Sequence, residues 1–353
     1  MVLNAMTRPL VRLRAWFRHW REDREGLWAW KWILGAVLVY LAICLVLGVI
    51  WNFSPPIFDP IDRAERRVAD KTNRDVTGVA TTATVIHLME TLLDKRGGYL
   101  TNDITPPGIW LDNQPNWEYG VLIQLRDAAK AMRESFSRSQ SQSTEDQDLA
   151  RAEARFNFDN NSWVLPASES EYREGVKFLD AYLARLVDEN QTNAQFYVRA
   201  DNLRYWLSTV ETRLGNLSQK LSASVGQRRI NTDLAGESGA KQSTAAPKEI
   251  EVKTSFWEID DVFFEARGST YALLHLLRAV EHDFGEVLDK KNARVSLQQI
   301  IRELEGTQQP ISSPLILNGK GFGFFANHSL VMASYISRAN AALIDLRALL
   351  EQG

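Results

Sequence analysis

Cysteine is almost missing from this chain. The single residue, Cys44, lies inside an apolar run, so no intrachain disulfide can form. Whatever folds here must be held by its core, even where the surroundings are oxidising. Histidine is also scarce, with five in 353 residues, and neither His-Glu-x-x-His nor Glu-x-x-His occurs. That removes the common helical patterns for zinc and paired iron, and no metal or cofactor is expected. Gly-x-Ser-x-Gly and Gly-Lys-Ser/Thr are absent too, so no motif for an esterase elbow or a phosphate loop is present. Concentrated positive charge is confined to one end. Residues 1–31 hold seven Lys/Arg against three acids, a formal +4, and the chain total of −3 leaves −7 for residues 32–353. A mildly acidic bulk is a poor partner for nucleic acid. Period-two alternation is short wherever it occurs, which argues against an extended sheet.

What the chain does have is Trp32 to Trp51, WILGAVLVYLAICLVLGVIW, an uncharged run of 20 residues. About 20 apolar residues in a helix cross a bilayer core of about 30 Å. Six of the 11 tryptophans lie at or before residue 51, and Trp28, Trp30 and Trp32 at one end face Trp51 and Phe53 at the other. Such indoles suit the two headgroup belts. The run is longer than a signal-peptide core and is followed by Asn52-Phe53-Ser54-Pro55-Pro56 rather than a small-residue cleavage site, so an uncleaved anchor is expected. Arg12, Arg14, Arg18, Arg21, Arg24 and Lys31 precede the run, whereas the first positive charge after it is Arg63. This bias predicts a cytoplasmic amino end and a translocated remainder.

The expected organisation is a basic amphipathic segment over 1–31, a transmembrane helix over 32–51, a linker over 52–77, helical bundle over 78–225, a mobile loop over 226–254 and further bundle over 255–353. Leu10, Leu13, Phe17 and Trp20, with arginines between them, read as a short helix for an anionic leaflet or simply as the topology signal. Beyond residue 78 apolar residues step by three and four, as in Phe196, Ala200, Leu203, Leu207, Val210, Leu214, Leu217 and Leu221, and in Met332, Ile336, Ala339, Leu343, Leu346 and Leu350. Ser168-x-x-Glu171 and Ser296-x-x-Gln299 read as capping boxes. The fold class is therefore all-α: one membrane helix, then a multi-helix bundle with a single core or two sub-bundles, and with oligomerisation through a stripe as a further option. The stretch AGESGAKQSTAAP within 226–254 has too little apolar surface to order itself.

Gly97 to Glu118 is long for a loop yet rich in bulky and polar groups. Tyr99, Asn102, Asp103, Trp110, Asp112, Asn113, Trp117 and Glu118 form the candidate surface for a ligand or partner. The alternative is a packed cap, held by Asp and Asn side chains on the backbone. Asp103, Asp112 and Glu118 are also the carboxylates an enzyme on envelope polymers would use, though no catalytic residue is assigned. His275 and His282, seven apart, share a helix face read as solvated or as secondary packing. Gly319-Lys320-Gly321-Phe322-Gly323, ahead of the last stripe, reads as a flexible or aromatic-lined turn rather than a phosphate site.

Gly97-Gly98-Tyr99-Leu100-Thr101-Asn102-Asp103-Ile104, Pro106-Pro107-Gly108 and Asp112-Asn113-Gln114-Pro115-Asn116-Trp117-Glu118 resemble the proteobacterial family known as domain of unknown function 2333. The resemblance implies an inner-membrane protein of a Gram-negative cell with its bulk in the periplasm, and it supplies no activity, cofactor or catalytic residue. The expected role is a non-enzymatic envelope scaffold with membrane lipids around the anchor and other envelope proteins as partners. A bundle binding lipid or a peptidoglycan fragment is the alternative.

Overall fold

The computed structural model describes residues 7–69, 76–139, 144–191, 193–230, 249–313, 315–320 and 323–352. It is all-α: eleven α-helices among the described residues, with one two-stranded ladder. Helix α1, Thr7–Trp51, forms one unit, and Asn52–Gly353 forms a second.

The 22 residues Trp30–Trp51 of α1 have a mean hydropathy of 3.0 and expose nearly all their side chains. At roughly 1.5 Å per residue they are long enough to cross a bilayer. The basic segment does not form a separate short helix. The backbone runs as one helix from Thr7 through the apolar stretch, since Pro9 falls in its first turn, where proline is tolerated.

The second unit contains α2 (Pro60–Arg67), α3 (Val79–Asp94), α4 (Asn113–Ala131), α5 (Gln147–Phe156), α6 (Ser168–Leu186), α7 (Ala200–Ser222), α8 (Ile259–Asp283), α9 (Gly285–Lys290), α10 (Arg294–Thr307) and α11 (His328–Glu351). A π-turn, Met132–Phe136, extends α4. Contacts fix the directions. Arg204–Glu351, Arg347–Glu211 and Ser218–Ser337 run in opposite order, so α7 and α11 are antiparallel. The pairs Asn116–Asp261 and Gln124–Ser269 run in the same order, so α4 and α8 are parallel.

Close approach of α4 and α8 depends on two glycines. A Cβ on Gly268 would lie 1.9 Å from the Trp117 carbonyl oxygen, and one on Gly120 would lie 2.0 Å from that of Glu265. Backbone cannot yield as a side-chain tip can. Gly268→Ala should therefore push the helices apart and cost about 1–3 kcal/mol, the range for overpacking. Chemical denaturation measures it, and an unchanged midpoint would show that the seam is loose.

Helix α3 is buried nearly all round, which marks it as central. Its Ncap, Gly78 at φ 93, has no side chain to offer. Asp283, at the far end of α8, replaces that cap: its Oδ2 accepts from Thr81 N at 2.7 Å and Thr81 Oγ1 at 2.6 Å. A carboxylate there also meets the positive end of the α3 dipole.

Residues on both sides of 226–254 enter one buried cluster. Phe136 and Phe196 from the first stretch meet Phe284 from the second, with Phe136 and Phe284 centroids 5.4 Å apart, and Trp206 packs on Phe136. The two stretches thus pack as one bundle. Of the expected mobile loop, residues 231–248 lie outside the described residues. Its flanks pair as an antiparallel ladder, Gln227–Ile230 with Glu249–Val252.

Neither expected capping box forms. Ser168 Oγ closes the preceding loop by donating to Asp159 O at 2.7 Å, and Glu171 pairs with Arg155. In α10, Ser296 lies inside the helix, and Gln299 donates to Glu303 at 2.9 Å.

Candidate functional site

The Gly97–Glu118 stretch is a fixed cap. Gly97 (φ 88) and Gly98 (φ 75) stop α3 and turn the chain. One turn into α4, the Glu118 side chain is fully enclosed, 2.5 Å from Lys95 Nζ, which is itself enclosed. Glu118 also accepts from Leu100 N at 2.9 Å, Thr101 N at 2.8 Å and Thr101 Oγ1 at 2.5 Å. Burial pushes the Glu118 carboxyl upward, while Lys95 and these donors pull back toward the charged form. Lys95 spends a second hydrogen on Gly98 O at 2.5 Å. This carboxylate stitches the loop to two helices and has no path to a dissolved substrate.

The other candidate residues divide into three groups. Tyr99 and Asn102 join the cap to the loop 157–167: Tyr99 Oη donates to Asn160 O at 2.9 Å, and Asn102 Nδ2 to Ser162 O at 2.7 Å and Glu169 Oε2 at 2.8 Å. Asp103 lies beside them, its pKa raised by partial burial and by Glu169. Trp117 is in the core, its ring centroid 5.3 Å from that of Tyr271, and no described residue accepts from its N–H. Trp110, Asp112 and Asn113 sit further along. Trp110 is 56% exposed. Asp112 accepts from Asn113 N at 2.9 Å at the start of α4. Partial burial, with Asp260, Asp112 and Glu258 nearby, pushes Asp261 up to about 6. Asn113 lines a cleft of about 550 Å³.

Residues 52–58 are tied down rather than loose. Gln114 Nε2 donates to Asn52 O at 2.9 Å, Tyr271 Oη donates to Pro56 O at 2.9 Å, and Phe58 N donates to His275 Nε2 at 3.1 Å. His275 is fully enclosed and stacks on Phe58, centroids 3.9 Å apart. Its Nδ1 must donate to the Tyr271 carbonyl 2.7 Å away, so Nε2 is left as the acceptor and the ring is neutral. Burial holds its pKa down at about 4. His282 shares the helix face but stays half exposed. Close by, partial burial opposes the ionised form of Glu90, yet His87 and Arg67 hold its carboxyl down at about 2. Arg67 also reaches Asp180, joining α2, α3 and α6. The glycine run before α11 is only partly described, Gly321 and Phe322 lying outside. The amino end of α11 is closed by Asn327, whose Oδ1 accepts from Leu330 N at 2.8 Å.

Lys95, Thr101 and Arg267 were not singled out as site residues in the sequence; His275 was, with the face it shares with His282 read as solvated or as secondary packing, and it is enclosed. For Arg267 a signal existed: it is a cation in an apolar helix, with Phe263, Phe264, Thr270 and Tyr271 at helical spacing and no acid among them. For Lys95, which reads as an ordinary helix-terminal base, there was none.

Among the described residues no group of three His, Cys, Asp or Glu could hold a metal ion. No curated protein and no solved structure matches the chain. One family profile, described as "uncharacterized protein conserved in bacteria (DUF2333)", matches residues 23–353, taking in the apolar helix, the Gly97–Glu118 cap and the whole bundle, and the chain belongs to that family.

Proposed function

We propose that this is a membrane-anchored, non-enzymatic interaction protein of the bacterial envelope, which presents its cap to other envelope proteins. The observation that carries this reading is apolar surface on a fixed backbone. Ile104, Ile109, Trp110, Trp163 and Leu165 are each more than half exposed, and they sit on two loops joined through Asn102 and Tyr99. Leu165 is 93% exposed and held at φ 57, a region leucine rarely adopts. Strain of that kind, of order 1–3 kcal/mol, gathers where the backbone serves binding. Large side chains on a pre-set frame lose little entropy when covered. The charge bias around Trp32–Trp51 supports a cytoplasmic amino end and a periplasmic bundle, with the inner membrane as the site. The enclosure of Glu118 weighs against the carboxylate-enzyme reading.

Photo-crosslinking in intact cells tests this. A benzophenone amino acid replacing Trp110 or Trp163 should give discrete protein adducts, and one replacing exposed Val295 on α10 should not. Leu165→Ser should weaken the Trp110 adduct without changing thermal melting. Adducts to lipid alone would overturn the partner assignment, and adducts to cytosolic proteins alone would reverse the orientation.

A further inference from the structure

Arg267 is a charged group whose surroundings do not balance it. It lies on α8, 8% exposed. Its Nη1 donates to Thr307 O at 3.1 Å and Gln309 O at 2.9 Å, and its Nη2 to Gln308 O at 3.1 Å. These are carbonyls at the end of α10, so the guanidinium closes that helix terminus. The partners are dipoles, and among the described residues no carboxylate pairs with it. Its Nε, buried, finds no acceptor among the described residues. A buried cation usually has a counter-charge, because leaving water unpaired is costly. Burial indeed lowers the Arg267 pKa, and no acid opposes that shift.

The same side chain lines two clefts, one of about 550 Å³ and one of about 310 Å³. Phe264, Ile311, Leu315 and Ile316 give the larger cleft an apolar side. That cleft is also lined by the strap of residues 52–57, which directly follows Trp51 in sequence and is held by Gln114 and Tyr271. Among the described residues lining the cleft the one acid is Asp260, seven residues before Arg267, about 10 Å along the helix. Volumes of this size suit a small ligand or a single acyl chain.

From the unpaired guanidinium and the greasy walls beside it, we infer that this cleft is a binding site for an anionic amphiphile, with a phosphate or carboxylate head on Arg267 and an acyl tail along Phe264, Ile311 and Ile316. An arginine suits either head, since its planar donors match both oxyanions. A bound head would supply the missing counter-charge. The cap reaches this cleft at Asn113, but its exposed Ile104, Ile109 and Trp110 do not line it, and neither assignment depends on the other.

The test uses the full-length chain in phosphatidylcholine nanodiscs, with diazirine-bearing probes and mass mapping of labelled peptides. The probes are palmitate, lysophosphatidylglycerol and lysophosphatidylcholine. Labelling by palmitate or lysophosphatidylglycerol should fall on the peptides carrying Phe264 and Ile311–Ile316, at least tenfold above lysophosphatidylcholine. Whichever of the two labels more strongly identifies a carboxylate or a phosphate head. Arg267→Gln should remove that labelling tenfold or more. Because Arg267 also closes α10, Leu315→Glu provides the second variant. Leu315 is 70% exposed, so its replacement should leave melting unchanged while placing a repelling charge in the cleft and cutting labelling to a similar degree. Equal labelling by all three probes, or labelling indifferent to Leu315→Glu, overturns the assignment. So does competition by inorganic phosphate as effective as that by unlabelled palmitate, since the tail would then contribute nothing.

Discussion

Glu118→Ala should lower the stability of the bundle by about 3–5 kcal/mol, the cost of removing one member of a buried ion pair. Lys95 would remain enclosed without its counter-charge, and Leu100 N, Thr101 N and the Thr101 hydroxyl would lose their acceptor. Each stranded donor adds its own desolvation penalty. Glu118→Leu combined with Lys95→Met should lose less than Glu118→Ala alone, because two apolar groups leave no charge unpaired. Denaturant titration of the three proteins checks this. A single-variant loss under about 1 kcal/mol would mean that water reaches Lys95, and that the cap is looser than its hydrogen bonds indicate.

The second large effect is one of pH. His275 is neutral in the folded chain down to about 4, against 6.5 for the free side chain. The unfolded chain therefore binds a proton between these values that the folded chain does not. The stability due to this residue is complete above pH 6.5, falls as the pH drops toward 4, and is gone below it. The size is about 3 kcal/mol, from about 1.4 kcal/mol per pH unit. Protonation would turn Nε2 into a donor facing the Phe58 N–H and release the strap from α8. Carboxylates titrate over the same range, so the measurement is the difference between the native chain and His275→Gln. That difference should shrink from pH 7 to pH 4. A difference independent of pH would place the ring in contact with water.

Much of the architecture was readable because helices are local. Spacings of three and four set the buried faces: Leu203, Leu207, Val210, Leu214, Leu217 and Leu221 are all interior. Gly97 and Gly98 end α3 where glycine after basic residues predicts a stop. The apolar run likewise announces its own helix, since length and composition suffice. Caps were less legible. Ser168 has the right neighbour for a capping box, but its hydroxyl is taken by Asp159, nine residues away, and α3 borrows its cap from Asp283, two hundred and two residues away.

The candidate stretch itself was found from its composition, but the roles within it were not. Glu118 read as part of a binding surface, as part of a packed cap or, third, as an acid for catalysis, and its enclosed pair with Lys95 makes it an anchor within the cap. Trp110 and Trp117 look alike in sequence, yet one is exposed and the other is in the core, because Trp117 falls on the face of α4 that meets α8.

By itself, then, the sequence determined the membrane-length helix, the all-α class and the helical faces, all of which follow from neighbours within a turn or two. Tertiary structure alone decided that both halves share one core, that Pro56 and Phe58 are pinned to α8, and that Arg267 meets carbonyls instead of an acid. The reason is distance along the chain. Phe58 and His275 are two hundred and seventeen residues apart, and no periodic pattern reaches across such a separation.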